Sequence, residues 1–262
     1  MNRVITTEDS IMRLKYAGPF LCLMLLSLPC LGLAQSCDQC ANVDRGVVFV
    51  IGGVGGWDIL GRASQWELPR VGIYHEIRDF AWTHGFGQPF KDLKDTPHML
   101  RKADELADEV LKVKHANPQR PIYLIGKSGG AGLVLVAVEK LPPNTLERII
   151  LLSAAVSPDY DLRPALRATW GEVVSFYSDK DQFVLNWGTT HFGTIDRVYG
   201  PSAGLHGFVL PAKLSPGDKL LYRRLIQIPW TCAMILEGHF GAHTGTSLPS
   251  FVGWEVAPWL RP

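Results

Sequence analysis

Pro121-Ile122-Tyr123-Leu124-Ile125-Gly126-Lys127-Ser128-Gly129-Gly130-Ala131-Gly132-Leu133-Val134 reads as an apolar strand that runs into a glycine turn and leaves as an apolar helix. Ser128 has a glycine two residues before it and two after, the G-x-S-x-G pattern. That spacing suits a serine on a very tight strand-to-helix turn, because a Cβ at either glycine would collide with neighbouring backbone. The helix that follows points its N-terminal amides back at the serine, where they can stabilise negative charge. Gly126-Lys127-Ser128 also matches the end of a phosphate-binding loop. That loop needs a glycine at 121, where Pro121 stands, and residues 122–125 are apolar strand rather than cradle. A tight turn carrying an unreactive serine is the remaining reading of the same residues.

Outward from this turn, β-branched runs alternate with helical patterns. Val47–Ile51 is stopped by Gly52-Gly53, and 71–77 is a second strand candidate. Between 98 and 114, Leu100, Ala103, Leu106, Val110 and Val113 share one helical face. A helix over 131–141 ends at Pro142-Pro143. Arg148–Leu152 and Val173–Tyr177 read as further strands and 232–236 as the last one. Uninterrupted apolar strands alternating with helices predict an α/β fold, a mostly parallel sheet with helices on both faces, in one domain over 46–262.

The chain has 262 residues, 26 basic and 25 acidic side chains and 47% hydrophobic residues, which excludes disorder and any broad electrostatic footprint for nucleic acid. Residues 17–34 carry no charge and follow Arg13 and Lys15, and Gly32 and Ala34 stand at cleavage spacing. Residues 1–34 therefore read as a signal peptide and the protein as exported: periplasmic, secreted or attached to the cell envelope. The alternative is a retained membrane anchor. Three basic and two acidic side chains precede Gln35, so the remainder is formally neutral. Residues 35–45 hold Cys37 and Cys40, which could pair in an oxidising compartment. Lipidation of Cys37, like a retained N-terminal segment, would associate the chain with a membrane.

Residues 126–130 with their flanking strand and helix resemble the nucleophile elbow of the α/β-hydrolase superfamily, which includes serine esterases and lipases. The resemblance spans about 46–262 and implies an acid and then a histidine after the serine, in that order. It places oxyanion donors near Val54 or Gly53, in the glycine cluster 52–56, and at Gly129. A dinucleotide fingerprint beginning at Gly53 is the competing reading of that cluster, but its third glycine falls on Asp58. After the 173–177 strand come Asp179 and Asp181. The family pattern of an aspartate before an apolar stretch favours Asp181, and Asp179 suits a turn. His239 and His243 both lie beyond the last strand. Gly238-His239-Phe240 and Gly241-Ala242-His243 each resemble a family form, with His243 slightly preferred. Their HxxxH spacing is a zinc pattern without its glutamate, and the surrounding glycines oppose a helix. About 20 residues separate the 148–152 and 173–177 strands, so no large lid is expected there. The 185–230 connection, with Trp187, His191, Phe192 and Tyr199, and the segment Trp82-Thr83-His84-Gly85 are candidate pocket walls. No metal or organic cofactor is implied. The implied substrate is a small or lipid-like acyl compound, and the implied activity carboxylic ester hydrolysis. An acyltransferase with the same residues and a non-catalytic binding protein on the same fold are the alternatives.

Overall fold

The computed structural model describes residues 3–4 and 45–261. The expected signal peptide and the Cys37–Cys40 segment lie outside the described residues, apart from Arg3, Val4 and Arg45. Six strands form the body of one sheet: β1 (Val47–Ile51), β2 (Glu76–Asp79), β3 (Ile122–Lys127), β4 (Arg148–Leu152), β5 (Val173–Tyr177) and β6 (Leu225–Pro229). They lie in the order β6-β5-β4-β3-β1-β2, every pair parallel, and Arg3–Val4 adds a two-residue parallel pairing outside β6.

All the strands of the sheet body except the edge strand β2 are buried on both faces, so alternate side chains feed two cores. Val47, Phe49 and Ile51 point to one, and Val48 and Val50 to the other. The principal helices are α1 (Ile59–Glu67), α2 (Pro89–Lys94), α3 (Thr96–Ala116), α4 (Gly129–Val138) and α5 (Arg163–Ala168). Right-handed crossovers explain which face each covers. The chain steps outward from β1 to β2, which puts α1 on one face. It then crosses back over β1 to β3 and continues through β4, β5 and β6 in the opposite direction. That reversal puts α3, α4 and α5 on the other face, the one that holds Ala103, Leu106, Val134 and Leu166. Phe251, Val252, Val256 and Leu260 from the C-terminal helical turns complete the α1 face.

In α3 the residues Met99, Ala103, Leu106, Val110 and Val113 are buried at helical spacing, each large one stabilising by about 1.5–3 kcal/mol. Leu100, expected on this face, is 43% exposed, and Met99 takes its place one position earlier on the helix. Asp95 caps it, its side chain accepting from the His98 amide at 3.0 Å. The strand reversal leaves a crevice beyond the carboxyl ends of β1 and β3, the place where open α/β sheets bind ligands. Among the described residues no helix is long and apolar enough to cross a membrane.

Two of the expected strands are corrected. The last strand is β6, whereas 232–236 belongs to a helical turn (Cys232–Glu237) that ends at Gly238 with φ 80°. The second strand begins at Glu76, not 71, because residues Leu68–Val71 form a helical turn stopped by Gly72 at φ 83°.

Candidate active site

Ser128 stands between β3 and α4 with φ 52° and ψ −123°, a conformation that L residues rarely adopt and that only a constrained turn maintains. Its amide donates to Leu152 O at 2.9 Å, and its carbonyl accepts from Ala131 N (3.1 Å) and Ala155 N (3.2 Å). The flanking glycines are sterically required. A Cβ on Gly126 would lie 2.7 Å from Ala131 Cα and 2.9 Å from Gly130 O. A Cβ on Gly130 would overlap the Gly52 and Ile51 carbonyl oxygens. So α4 passes close across the end of β1, and the elbow is held against the 52–56 loop.

Gly53 faces the serine: a Cβ built there would sit 3.3 Å from Ser128 Cβ and 3.8 Å from Oγ. Val54 and Ile195 pack beside Gly129, where an added Cβ would meet them at 2.8 and 3.3 Å. Gly129 opens α4, where first-turn amides have no partner within the helix. Of the three residues expected to hold an oxyanion, Gly53 thus lies against Ser128, Gly129 follows it in the chain and Val54 packs beside Gly129.

The loop after β5 carries Asp179 and Asp181, and the structure separates them. Asp181 is 3% exposed, and its Oδ2 lies 2.6 Å from His243 Nδ1. Asp179 is on the surface, 3.6 Å from Lys180 Nζ. The two histidines separate as well. His239 is buried against Trp230 and Phe251, with ring centroids 6.5 and 5.1 Å away, and close enough to Gly245 that a Cβ there would overlap its imidazole. Its Nδ1 accepts from the Gly241 amide at 3.3 Å, and burial pushes its pKa down to about 4. The structure therefore pairs His243, not His239, with a carboxylate. The Ser128 hydroxyl is hydrogen-bonded to neither imidazole, and such bonds often form only when substrate is bound.

Behind Asp181 the sequence reading missed a buried cation. Lys127 is 8% exposed and donates to Ser247 Oγ at 2.6 Å. Burial lowers its pKa to about 8, and the charge of Asp181 acts the other way, favouring the ammonium. The signal was present as a lysine inside an apolar strand-to-helix run.

A row of exposed aromatic rings begins beside the Asp181 loop. Phe183, directly beyond the Asp181 loop, stacks on Trp187 at 5.5 Å, Trp187 meets Phe192 at 6.0 Å, and Phe192 meets Phe90 at 5.1 Å. All four are substantially exposed. Of the expected 185–230 wall, the part that reaches the elbow is Ile195, whose amide donates to Ala155 O at 3.0 Å and whose side chain covers Gly129 and Gly132. Residues 153–172 hold only the short α5, so no lid rises there.

A strained serine at the top of a parallel sheet, a carboxylate beyond the next-to-last strand and a histidine beyond the last stand here in that chain order. The chain has the α/β-hydrolase fold. No family profile matches it, and no curated protein does. Among solved structures it is similar to a lipase-esterase related protein from Clostridium acetobutylicum (13% identity, 83% of this chain and 95% of that one, TM-score 0.48). It is also similar to an esterase from Pyrococcus furiosus (12% identity, 84% and 83%, TM-score 0.48) and to a cutinase from Trichoderma reesei (10% identity, 82% and 74%, TM-score 0.40).

Proposed function

We propose that the chain is an exported serine hydrolase that cleaves a carboxylic ester through Ser128, His243 and Asp181. The observation that carries this reading is the strained Ser128 elbow served, in chain order, by a buried Asp181–His243 pair. Ser128 Oγ attacks the ester carbonyl while His243 Nε2 takes its proton, and Asp181 holds Nδ1–H and stabilises the imidazolium. The carbonyl oxygen becomes an oxyanion, met by amides of Gly129 and of Gly53 or Val54. Collapse expels the alcohol, which leaves with the proton from His243. Water then attacks the acyl-serine, again through His243, releasing the acid and restoring the hydroxyl.

The exposed ridge Phe183-Trp187-Phe192-Phe90 runs from the acid loop toward the oxyanion loop and favours an apolar, lipid-like acyl group. Export rests on the charge-free run 17–34 behind Arg13 and Lys15. The test is a series of p-nitrophenyl esters from acetate to octanoate, assayed with the purified chain. Hydrolysis that strengthens with acyl length and is lost in Ser128→Ala supports the reading. Acyl transfer to added alcohol outrunning hydrolysis makes it an acyltransferase, and no turnover of any ester contradicts it.

A further inference from the structure

Asp92 sits in the six-residue helix α2, 37 residues from the loop that it touches, and is 2% exposed. Its Oδ2 accepts from the Gly55 amide at 2.7 Å. Its Oδ1 accepts from the His84 amide at 2.7 Å and faces His84 Nδ1 at 2.9 Å. His84 is itself fixed: Nε2 lies 3.1 Å from Asp95 Oδ2, and the ring stacks on His98 at 3.9 Å. From the same segment, Trp82 Nε1–H donates to Gly52 O at 2.8 Å.

These two tethers bracket the residues expected to hold the oxyanion. The peptide unit is planar and trans, so clamping Gly52 C=O also sets the direction of Gly53 N–H, which lies anti to it. Clamping Gly55 N–H likewise sets Val54 C=O. The Val54 amide lies in the single peptide plane between the two clamped ones. Gly55 has φ +88° and Gly56 φ +66°, so this turn has no side-chain bulk to hold its shape and depends on hydrogen bonds. An apolar side chain at 92 would fill the same space without the cost of burying a carboxylate. It would leave the Gly55 amide without an acceptor.

We propose that Asp92 is a positioning residue for the oxyanion hole, holding the 52–56 loop so that the Gly53 and Val54 amides face the charge developing on the substrate. The proposal rests on the serine-hydrolase reading above. It acts on the transition state, because the loop donates to the oxyanion more strongly than to the ground-state carbonyl.

Asp92→Asn tests it with almost no change of shape. An amide has one oxygen and one NH2, so whichever way it turns, a donor faces either the Gly55 or the His84 amide. The expected result is a kcat lower by about 100-fold, the scale for a catalytic group displaced by an ångström, with KM moved by no more than about threefold. Affinity for a trifluoromethyl ketone, whose serine adduct carries the oxyanion, falls in step with kcat/KM, while the circular dichroism spectrum is unchanged. Unchanged kcat in folded Asp92→Asn overturns the proposal. So does a loss of kcat that leaves the ketone affinity intact. If Asp92→Asn does not fold, His84→Ala, which removes one partner of the carboxylate, is expected to give a smaller loss with the same split between kcat and KM. Wild-type kinetics in that variant then overturn the proposal. A wild-type chain inert to both ester and fluorophosphonate overturns the serine-hydrolase reading and this proposal with it. An active wild type with an unaffected Asp92→Asn overturns this proposal alone.

Discussion

His243 Nδ1 and Asp181 Oδ2 meet at 2.6 Å across 62 residues of sequence, whereas His239, four residues before His243, turns its ring into the core. If Asp181 orients the base, Asp181→Asn lowers kcat by about 10⁴-fold by favouring the wrong imidazole tautomer. Asp179→Asn, at the surface, leaves kcat within about twofold, since exposed ion pairs contribute little. His243→Ala is as damaging as Asp181→Asn. His239→Ala lowers the unfolding midpoint and leaves kcat of the folded fraction largely intact. Ester kinetics and urea titration of the four variants check this, and the opposite assignment of the histidines would contradict it.

The pH dependence of stability separates two buried groups. The neutral ring of His239, with its pKa pushed down to about 4, takes up a proton later than in the unfolded chain, whose imidazole protonates near 6.5. The unfolded state binds more protons between those values, so this group destabilises the fold as pH falls from about 6.5 to 4. Glu237 acts in the opposite sense. Burial and the neighbouring Glu255 raise its pKa to about 8, so the folded state holds a proton that the unfolded chain gives up near 4.5. Stability from this group is lost as pH rises from about 4.5 to 8. Glu237→Gln is therefore expected to raise the thermal midpoint at pH 8.5 and to change it little at pH 4.5. Equal effects at both pH values would show that Glu237 does not carry a buried proton.

The glycines of the elbow differ from ordinary turn glycines in what surrounds them. Gly130→Ala puts a methyl into the Ile51 and Gly52 carbonyls and is expected to lower stability by more than about 4 kcal/mol or to prevent folding. Gly72→Ala also meets a positive φ, 83°, but in open space, and should cost only about 1–2 kcal/mol, the penalty of the left-handed conformation alone. Denaturant unfolding compares them, and equal costs would mean that α4 does not press on β1 as described.

The elbow was legible in the sequence because its causes are local: an apolar strand, two glycines at fixed distance and an apolar helix. β6 was not. Leu225-Ile226-Gln227-Ile228-Pro229 carries an amide in its middle, and the more apolar 232–236 run looked the better strand. Gln227 is buried in the sheet because its side chain bonds both backbone groups of Phe208, accepting at 2.5 Å and donating at 3.0 Å. Those partners are 19 residues away and invisible to periodicity. The 232–236 run is apolar in sequence yet leaves Leu236 89% exposed at the surface. Two similar glycine-flanked motifs leave only a slight preference for His243 over His239, and burial separates them. Asp92 gave no signal at all, since the Gly55 amide that it accepts from is 37 residues away in the chain.

The nucleophilic role proposed for Ser128 is open to covalent capture. The folded chain is treated with a fluorophosphonate probe, and the site of attachment is read by mass spectrometry of its peptides. One adduct is expected, on Ser128, absent in Ser128→Ala and slowed by several orders of magnitude in His243→Ala. Absence of any adduct on a folded wild-type chain, or an adduct that persists in Ser128→Ala, would contradict it.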